Sequence, residues 1–324
     1  MIDNTAISSS KNGSSDIEPL VSVLVPSYNH EKYVIECLES IKNSKYKRIE
    51  LILSDDHSSD STYELASQWT QLNAERFERA IAIRQDKNLG VVSNLQFLFD
   101  RSQGDYLAYI ASDDLLVESG IPDRLRLLQS NGNVDAVFGN SQLISASGAV
   151  LQDPFVPPHI AKTFCSPRLL TCALLRYWGL GGPVMMLRRE AVLRNGSLGI
   201  LPNDLKFEDR YIFIRLAAQG KLMFLNTVVA KYRVVENSMS RSSSFSSIEA
   251  IGVVESDKRN RHLLSGIDRL FIEVAIATNN IELNSTETPM YSLIKQFYRI
   301  ASGLLWRALY IQKTLKCFAR SPVA

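Results

Sequence analysis

The sequence predicts an α/β fold: a mostly parallel sheet with helices on both faces, followed by a C-terminal helical extension. Three observations predict it. Short, almost continuously apolar runs recur at Val21–Val25, Ile49–Leu53, Ala80–Arg84 and Tyr106–Ala111, and strands that do not alternate polar with apolar are covered on both faces. Between them lie segments with apolar residues at helical spacing, so strand and helix alternate. Each apolar run ends in a polar cluster, which is where a parallel sheet meets its ligand, beyond the carboxyl ends of the strands.

The elements follow in order. Met1–Glu18 is polar, rich in Ser and Asn and without an apolar core region, so it reads as a disordered leader (residues 1–19) and not as a signal peptide or anchor. Order begins at Leu20. The first strand stops at Pro26-Ser27-Tyr28-Asn29, and Val34, Cys37, Leu38 and Ile41 mark the first helix. The second strand runs into Asp55–Ser61, where Ser59, Asp60 or Ser61 can cap a helix bearing Leu65, Trp69 and Leu72. A loop over Asp86–Gly90 joins the third strand to a helix over Val91–Arg101, and the fourth strand leads to Ser112-Asp113-Asp114.

Beyond Asp114 the pattern loosens. Pro122–Gln129 reads as a helix, Val134–Ile144 as strand broken near Gly139, and the four-proline stretch from Pro154 to Pro167 as loop. Val184–Leu187, Leu222–Leu225 and Val228–Val235 read as strands. Phe207–Ala218 reads as a helix opening on Glu208-Asp209, where the helix dipole favours carboxylates. The organisation expected is one domain over 20–235, a mobile Ser-rich loop over 236–247 and a helical region over 248–324. Within the last, Ile248–Ile281 and Met290–Arg320 read as helices. The second keeps apolar residues at 3–4 spacing, and every charged residue after Glu287 is basic. Such a helix suits an anionic membrane surface; the alternative is an ordinary packed helix with a solvated basic face.

Composition narrows the classes. The chain has 324 residues, 45% hydrophobic and 22% charged, as in a soluble globular protein with a substantial core. A net charge of +2 argues against a nucleic-acid partner. Cys37, Cys165, Cys172 and Cys317 lack metal-ligand spacing and read as reduced, buried thiols. No run of about 18 apolar residues is present to span a bilayer.

Two adjacent carboxylates at the end of a buried strand repel each other, and a divalent cation with its oxygen-rich ligand relieves the repulsion. Taken alone, Ser112-Asp113-Asp114 could equally cap a helix or form a turn. Polar clusters at Pro26–Asn29, Asp55–Asp60 and Asn88–Gly90 point to the same rim and favour a site.

With VSVLVPSYNHEKYV, LILSDDHSSDST, KNLG, YIASDDLL and FEDRYIFIRLAAQG in this order, the chain resembles the family 2 glycosyltransferases of the GT-A fold, over roughly Val21 to Arg233. The resemblance implies that Pro26, Ser27 and Tyr28 line a nucleotide base pocket, with Glu31 near the ribose. It makes Asp56 the acceptor of a pyrimidine imide N–H. Lys87 lies in the loop before the third helix, where a basic side chain approaches the nucleotide. The family often continues this loop with Ala-Arg-Asn; here Val92-Ser93-Asn94 stands instead, so charge must come from Arg84 or Lys87. His57 occupies a usually small position and reads as an exposed loop residue.

The resemblance further makes Asp114 the direct ligand of Mg2+ or Mn2+, with Asp113 contacting ribose, sugar or the metal's water shell. Asp209 matches the general base, which takes the proton of the acceptor hydroxyl, and Glu208 precedes it. Gly181 and Gly182 fall in the acceptor-side turn. Lys231-Tyr232-Arg233 matches a family ending that usually carries His two positions on, where this chain has Val235. Arg233 or Arg241 is then expected to serve the diphosphate.

The expected activity is metal-dependent, inverting transfer from a nucleotide-diphosphate sugar, UDP-sugar before dTDP- or GDP-sugar. The expected acceptor is a hydroxyl of a growing surface glycan, free or lipid-linked. The expected place is cytoplasmic, peripheral on the inner face of the plasma membrane. A nucleotide-sugar-binding module without transfer, acting as a regulatory or assembly partner, is the alternative. A dinucleotide oxidoreductase is excluded, because Val25-Pro26-Ser27-Tyr28 has no Gly-rich turn after the first strand.

Overall fold

The computed structural model describes residues 18–177, 180, 182–235, 245–284 and 303–304. Among them, nine strands form one sheet: β1 (Val21–Ser27), β2 (Ile49–Asp55), β3 (Arg79–Arg84), β4 (Tyr106–Tyr109), β5 (Leu115–Leu116), β6 (Ala136–Ser145), β7 (Val150–Gln152), β8 (Met185–Arg188) and β9 (Leu222–Val234). The order is β3-β2-β1-β4-β8-β6-β9-β5, with β7 on β6. β3, β2, β1 and β4 are parallel, as the apolar runs predict. β8 enters antiparallel to both β4 and β6, and β9 returns parallel to β6. The crossover helices are α1 (Val34–Lys42), α2 (Thr62–Leu72), α3 (Val91–Arg101) and α4 (Gly120–Gln129).

Successive residues of a strand point to opposite faces, so β1 and β2 feed two cores. Val23, Val25, Leu51 and Leu53 pack with Val34, Cys37, Leu38 and Ile41 of α1 and with Trp69 of α2. Leu24, Ile52 and Leu107 pack on the other face with Leu95 and Phe99 of α3. The same core takes Tyr211–Ile214 of α7 (Asp209–Ala218), Val254 of α8 (Phe245–Asn260) and Phe271, Ile272 and Ile276 of α9 (Gly266–Asn284). α8 and α9 therefore share the core of the sheet domain. The sequence reads them as one helix, but a turn at Arg261–Leu263 separates them and α9 starts at Gly266, with φ +56°.

One helix forms where a proline-rich loop is expected, and a second follows just after it. α5 (Pro158–Phe164) starts with Pro in its first turn, a position whose fixed φ suits a helix start. α6 (Leu170–Arg176) is buried at every position from Leu170 to Leu175, so it has no polar face and no readable period. β9 is one strand where two are expected. Its register against β6 shifts at Gly139–Asn140, absorbing Asn226 and Thr227. A Cβ on Gly139 would lie 2.5 Å from the Val229 methyls, so only glycine lets the strands approach there.

Of the thiols, Cys37 and Cys172 are buried, but Cys165 is exposed, contrary to the expectation of uniform burial. Cys165 ends the short helix α5, and the helical spacing that buries a thiol is absent there. Cys317, the leader as far as residue 17, the Ser-rich loop as far as Ser244 and the basic segment after residue 284, except residues 303–304, lie outside the described residues. The last two leader residues are held, the Glu18 carbonyl by Arg48 and the Pro19 carbonyl by the Tyr46 hydroxyl.

Candidate active site

The loops after β1 and β2 are knitted together at the carboxyl rim. Asn29 takes a left-handed φ of 55°; its N–H donates to Ser58 Oγ at 2.9 Å, and its Oδ1 accepts the Ser59 N–H at 2.8 Å. Glu31 accepts the Ser61 N–H at 3.1 Å, so the residue expected near a ribose is tied to the start of α2. Pro26 is partly buried, whereas Tyr28 is 45% exposed, an open aromatic face on the rim. Ser27 departs from the expectation that its hydroxyl lines a pocket. It is buried, and its Oγ accepts from Ser112 Oγ at 2.8 Å, because β1 and β4 are neighbours and their ends face each other.

Asp56 is buried, and both its oxygens are engaged: Oδ1 accepts Leu89 N–H at 2.7 Å and Oδ2 accepts Gly90 N–H at 2.8 Å. The carboxylate thus closes the loop that carries Lys87, whose side chain is exposed. Arg84, the other candidate charge for that loop, donates to the Ser58 carbonyl at 2.9 Å and to Glu64 at 3.1 Å. His57 is exposed, as expected. Asn94 is buried, and its Nδ2 donates to the Ser54 carbonyl at 2.9 Å, fastening α3 to β2.

Beyond β4 the chain turns through Ser112, Asp113 and Asp114 into β5, a two-residue strand too short to read from sequence. β5 pairs with β9 at Leu115–Lys231 and Leu116–Ala230, which brings Arg233 beside the acid pair. The Arg233 N–H donates to Asp114 Oδ1 at 2.7 Å and Nε to the Asp113 carbonyl at 2.8 Å. The remaining nitrogens reach the Ala146 carbonyl at 3.1 Å and Glu36 Oε2 at 2.6 Å, and the guanidinium stacks on Tyr33. With the side chain only 1% exposed, the expectation that Arg233 contacts the diphosphate is corrected. It clamps three segments of the site, the turn at Asp113–Asp114, the turn at Ala146 and the start of α1 with Tyr33 and Glu36.

Asp114 is buried, and burial followed by the Asp113 charge pushes its carboxyl well above the usual range. The Cys37 thiol beneath is raised too, first by burial and then by the two aspartates. His30, which the sequence does not single out, lies against the pair: Nδ1 is 2.8 Å from Ser112 Oγ and Nε2 3.7 Å from Asp113 Oδ2. Among the described residues no three His, Cys, Asp or Glu side chains gather into a metal cage. One or two carboxylates still fit Mg2+ or Mn2+ of the kind that takes its other ligands from water and substrate phosphates. The displaced carboxyl of Asp114 marks negative charge that such an ion would neutralise.

The second acid pair opens α7. Glu208 holds the N-cap position and Asp209 is the first helical residue; Asp209 Oδ1 accepts the Arg210 N–H at 2.6 Å. Burial and the neighbouring Asp209 push Glu208 up to about 7. Tyr109, on β4 four residues before Asp113, is buried with its hydroxyl unpartnered among the described residues. Its phenol is raised by burial, then by the charges of Glu208 and Asp209, so the second pair lies beside the strand that delivers the first.

Gly182 opens a short 3-10 turn, Gly182–Val184, while Gly181 and Arg241 lie outside the described residues. Arg124, fully buried on α4, holds that turn: NH1 donates to the carbonyls of Met185 at 2.9 Å and Pro183 at 3.3 Å. No local pattern announces Arg124, Tyr109 or His30, since each acquires its role from partners distant in sequence.

The chain is similar to known glycosyltransferases. Residues 22–156 match glycosyl transferase family 2. The putative teichuronic acid biosynthesis glycosyltransferase TuaG of Bacillus subtilis is 26% identical over 69% of this chain and 82% of its own length. The UDP-Glc:alpha-D-GlcNAc-diphosphoundecaprenol beta-1,3-glucosyltransferase WfaP of Escherichia coli is 26% identical over 73% of this chain and 86% of its own. Among solved structures, S. aureus TarS 1-349 in complex with UDP-GlcNAc superposes with a TM-score of 0.54 at 15% identity, covering 90% of this chain and 92% of TarS 1-349. The mannosyltransferase PcManGT from Pyrobaculum calidifontis, in complex with GDP-Man and Mn2+, gives 0.53 at 16% identity, covering 96% and 92%. At that identity the likeness is one of fold, the GT-A fold.

Proposed function

We propose that this chain, a glycosyltransferase of family 2, transfers a sugar with inversion from a UDP-sugar to a hydroxyl of a growing surface glycan. The observation that carries the reading is the presence of two acid pairs by one strand: Asp113–Asp114 follow β4, and Glu208–Asp209, at the start of α7, lie near enough to act on the Tyr109 phenol of β4. Inverting transfer needs two separate negative functions. One holds a cation against the departing diphosphate, and the other takes a proton from the acceptor on the opposite side of the sugar.

In this reading Tyr28 covers the base, and Asp56, already holding the Leu89–Gly90 turn, has lone pairs left for the base edge. Asp114, with Asp113 beside it, would hold Mg2+ or Mn2+, which when bound neutralises charge on the leaving diphosphate. Asp209 accepts the proton of the acceptor hydroxyl. Glu208, pushed up to about 7, is about half protonated near neutrality and so carries less competing charge beside the base than an ordinary carboxylate. Lys87 offers an exposed cation on the donor side.

UDP is favoured because WfaP is named for UDP-Glc and TarS is complexed with UDP-GlcNAc; GDP-Man in PcManGT keeps GDP as the comparison donor. The surface-glycan acceptor follows the names of TuaG and WfaP, the latter a diphosphoundecaprenol-linked sugar. No helix among the described residues is long and apolar enough to cross a membrane. A cytoplasmic enzyme held at the membrane face by its basic C-terminal segment would meet a lipid-linked acceptor there.

The test is release of UDP from UDP-glucose and UDP-GlcNAc, and of GDP from GDP-mannose, by purified protein with Mn2+ or Mg2+. Turnover lost in Asp114→Ala and Asp209→Asn supports the reading. Metal-dependent thermal stabilisation by these donors without turnover would favour the non-catalytic binding module. Neither binding nor turnover with any of them would sink both.

A further inference from the structure

We propose that Asp257, on α8, is a positioning residue for the Glu208–Asp209 pair, acting through the guanidinium of Arg210. The proposal rests on the reading of Asp209 as the base. It makes the first C-terminal helix part of the catalytic apparatus.

Arg210 follows Asp209 directly, and its side chain runs into α8. Nε donates to Asp257 Oδ1 at 2.9 Å and NH2 to Oδ2 at 2.8 Å, a two-pronged pair. Both residues are buried, Arg210 at 3% and Asp257 at 0% exposure. One turn further along α8, Asn260 Nδ2 donates to the Tyr211 carbonyl at 3.0 Å. One turn back, α8 presents Gly252, where a Cβ would lie 2.5 Å from the ring of Phe207. Successive turns of α8 thus grip residues 207, 210 and 211 and bracket the acid pair.

Stability alone does not call for this arrangement. α7 already buries Tyr211, Ile212, Phe213, Ile214 and Leu216, and a buried ion pair is often no more stabilising than an apolar pair of equal volume. What a bidentate guanidinium–carboxylate pair adds is a fixed orientation of the residues that carry it. Here those residues adjoin the proton acceptor, and small displacements of a reacting group cost rate steeply.

The experiment compares wild type with the double variant Arg210→Met/Asp257→Leu, which keeps apolar volume, and with Asp257→Asn. Three quantities are measured: the urea midpoint, amide exchange over residues 207–211, and kcat and KM for UDP release from UDP-glucose with Mn2+. The expected result for the double variant is an unchanged midpoint, exchange about tenfold faster, and kcat about tenfold lower with KM within about twofold. Asp257→Asn leaves the buried Arg210 charge without its counter-ion, so its urea midpoint falls while exchange quickens and kcat drops as in the double variant; measured below that midpoint, it decides the matter if the double variant does not fold. Wild-type exchange and kcat in a folded variant overturn the proposal. If wild-type protein turns over no donor, the reading of Asp209 fails by that result, and the exchange measurement still decides whether Asp257 holds the segment.

Discussion

The backbone N–H of Arg233 meets Oδ1 of Asp114 at 2.7 Å, fixing the proposed metal ligand from a residue 119 positions later in the chain. Because the same residue's Nε holds the Asp113 carbonyl, one side chain controls both the conformation and the charge environment of the acid pair. Arg233→Met keeps the backbone bond but leaves the carbonyls of Asp113 and Ala146 without their cationic donor. The expected cost is about 2–3 kcal/mol in urea unfolding, with weaker Mn2+-dependent binding of UDP. Arg233→Lys recovers little, since one ammonium cannot span those acceptors.

Asp56→Asn tests the nucleotide loop. An amide can accept at only one of its two atoms, so either the Leu89 N–H loses its partner or the Gly90 N–H is left with Asn88 Oδ1 alone, at 3.1 Å. A destabilisation of about 1–2 kcal/mol is expected. UDP affinity should fall by about tenfold, measured by titration with Mn2+ present. Unchanged affinity would remove Asp56 from the base site.

Glu208 predicts a pH dependence. Its folded-state value of about 7 lies above the ordinary 4.5, so the folded protein holds this proton more tightly than the unfolded chain. Below the ordinary value both states are protonated and the group contributes nothing. As pH rises from there to about 7 the unfolded state alone ionises, and stability falls; above about 7 the full penalty remains. Glu208→Gln should therefore match wild type near pH 4 and exceed it near pH 8, by up to about 3 kcal/mol. Urea unfolding across that range is the measurement.

Gly120→Ala tests how closely α4 abuts β9. The new Cβ would stand 2.4 Å from the Val229 carbonyl oxygen, and neither backbone can yield without moving β5 and the acid pair beyond it. A loss of about 2–3 kcal/mol is expected. Gly132→Ala, with nothing within 4 Å of its Cβ, serves as the control and should be near neutral.

The sequence by itself determined the parallel half of the sheet and the carboxyl rim. Strands buried on both faces read as apolar runs, and helices with one buried face read as a period, so β1 to β4 and α1 to α3 follow from local pattern. The positions of Asp56, Asp114 and Asp209 at element ends were legible for the same reason. What only the tertiary structure decided are relationships between distant residues. The antiparallel entry of β8 between β4 and β6, the seat of Arg233 on Asp113 and Asp114, and the grip of Asp257 on Arg210 all depend on which segments become neighbours. A buried arginine and a solvent-facing one look alike in sequence. Their difference is the set of carbonyls and carboxylates that folding brings within reach, and for Arg233 that set turned an expected ligand of the diphosphate into the clamp of the Asp113–Asp114 pair.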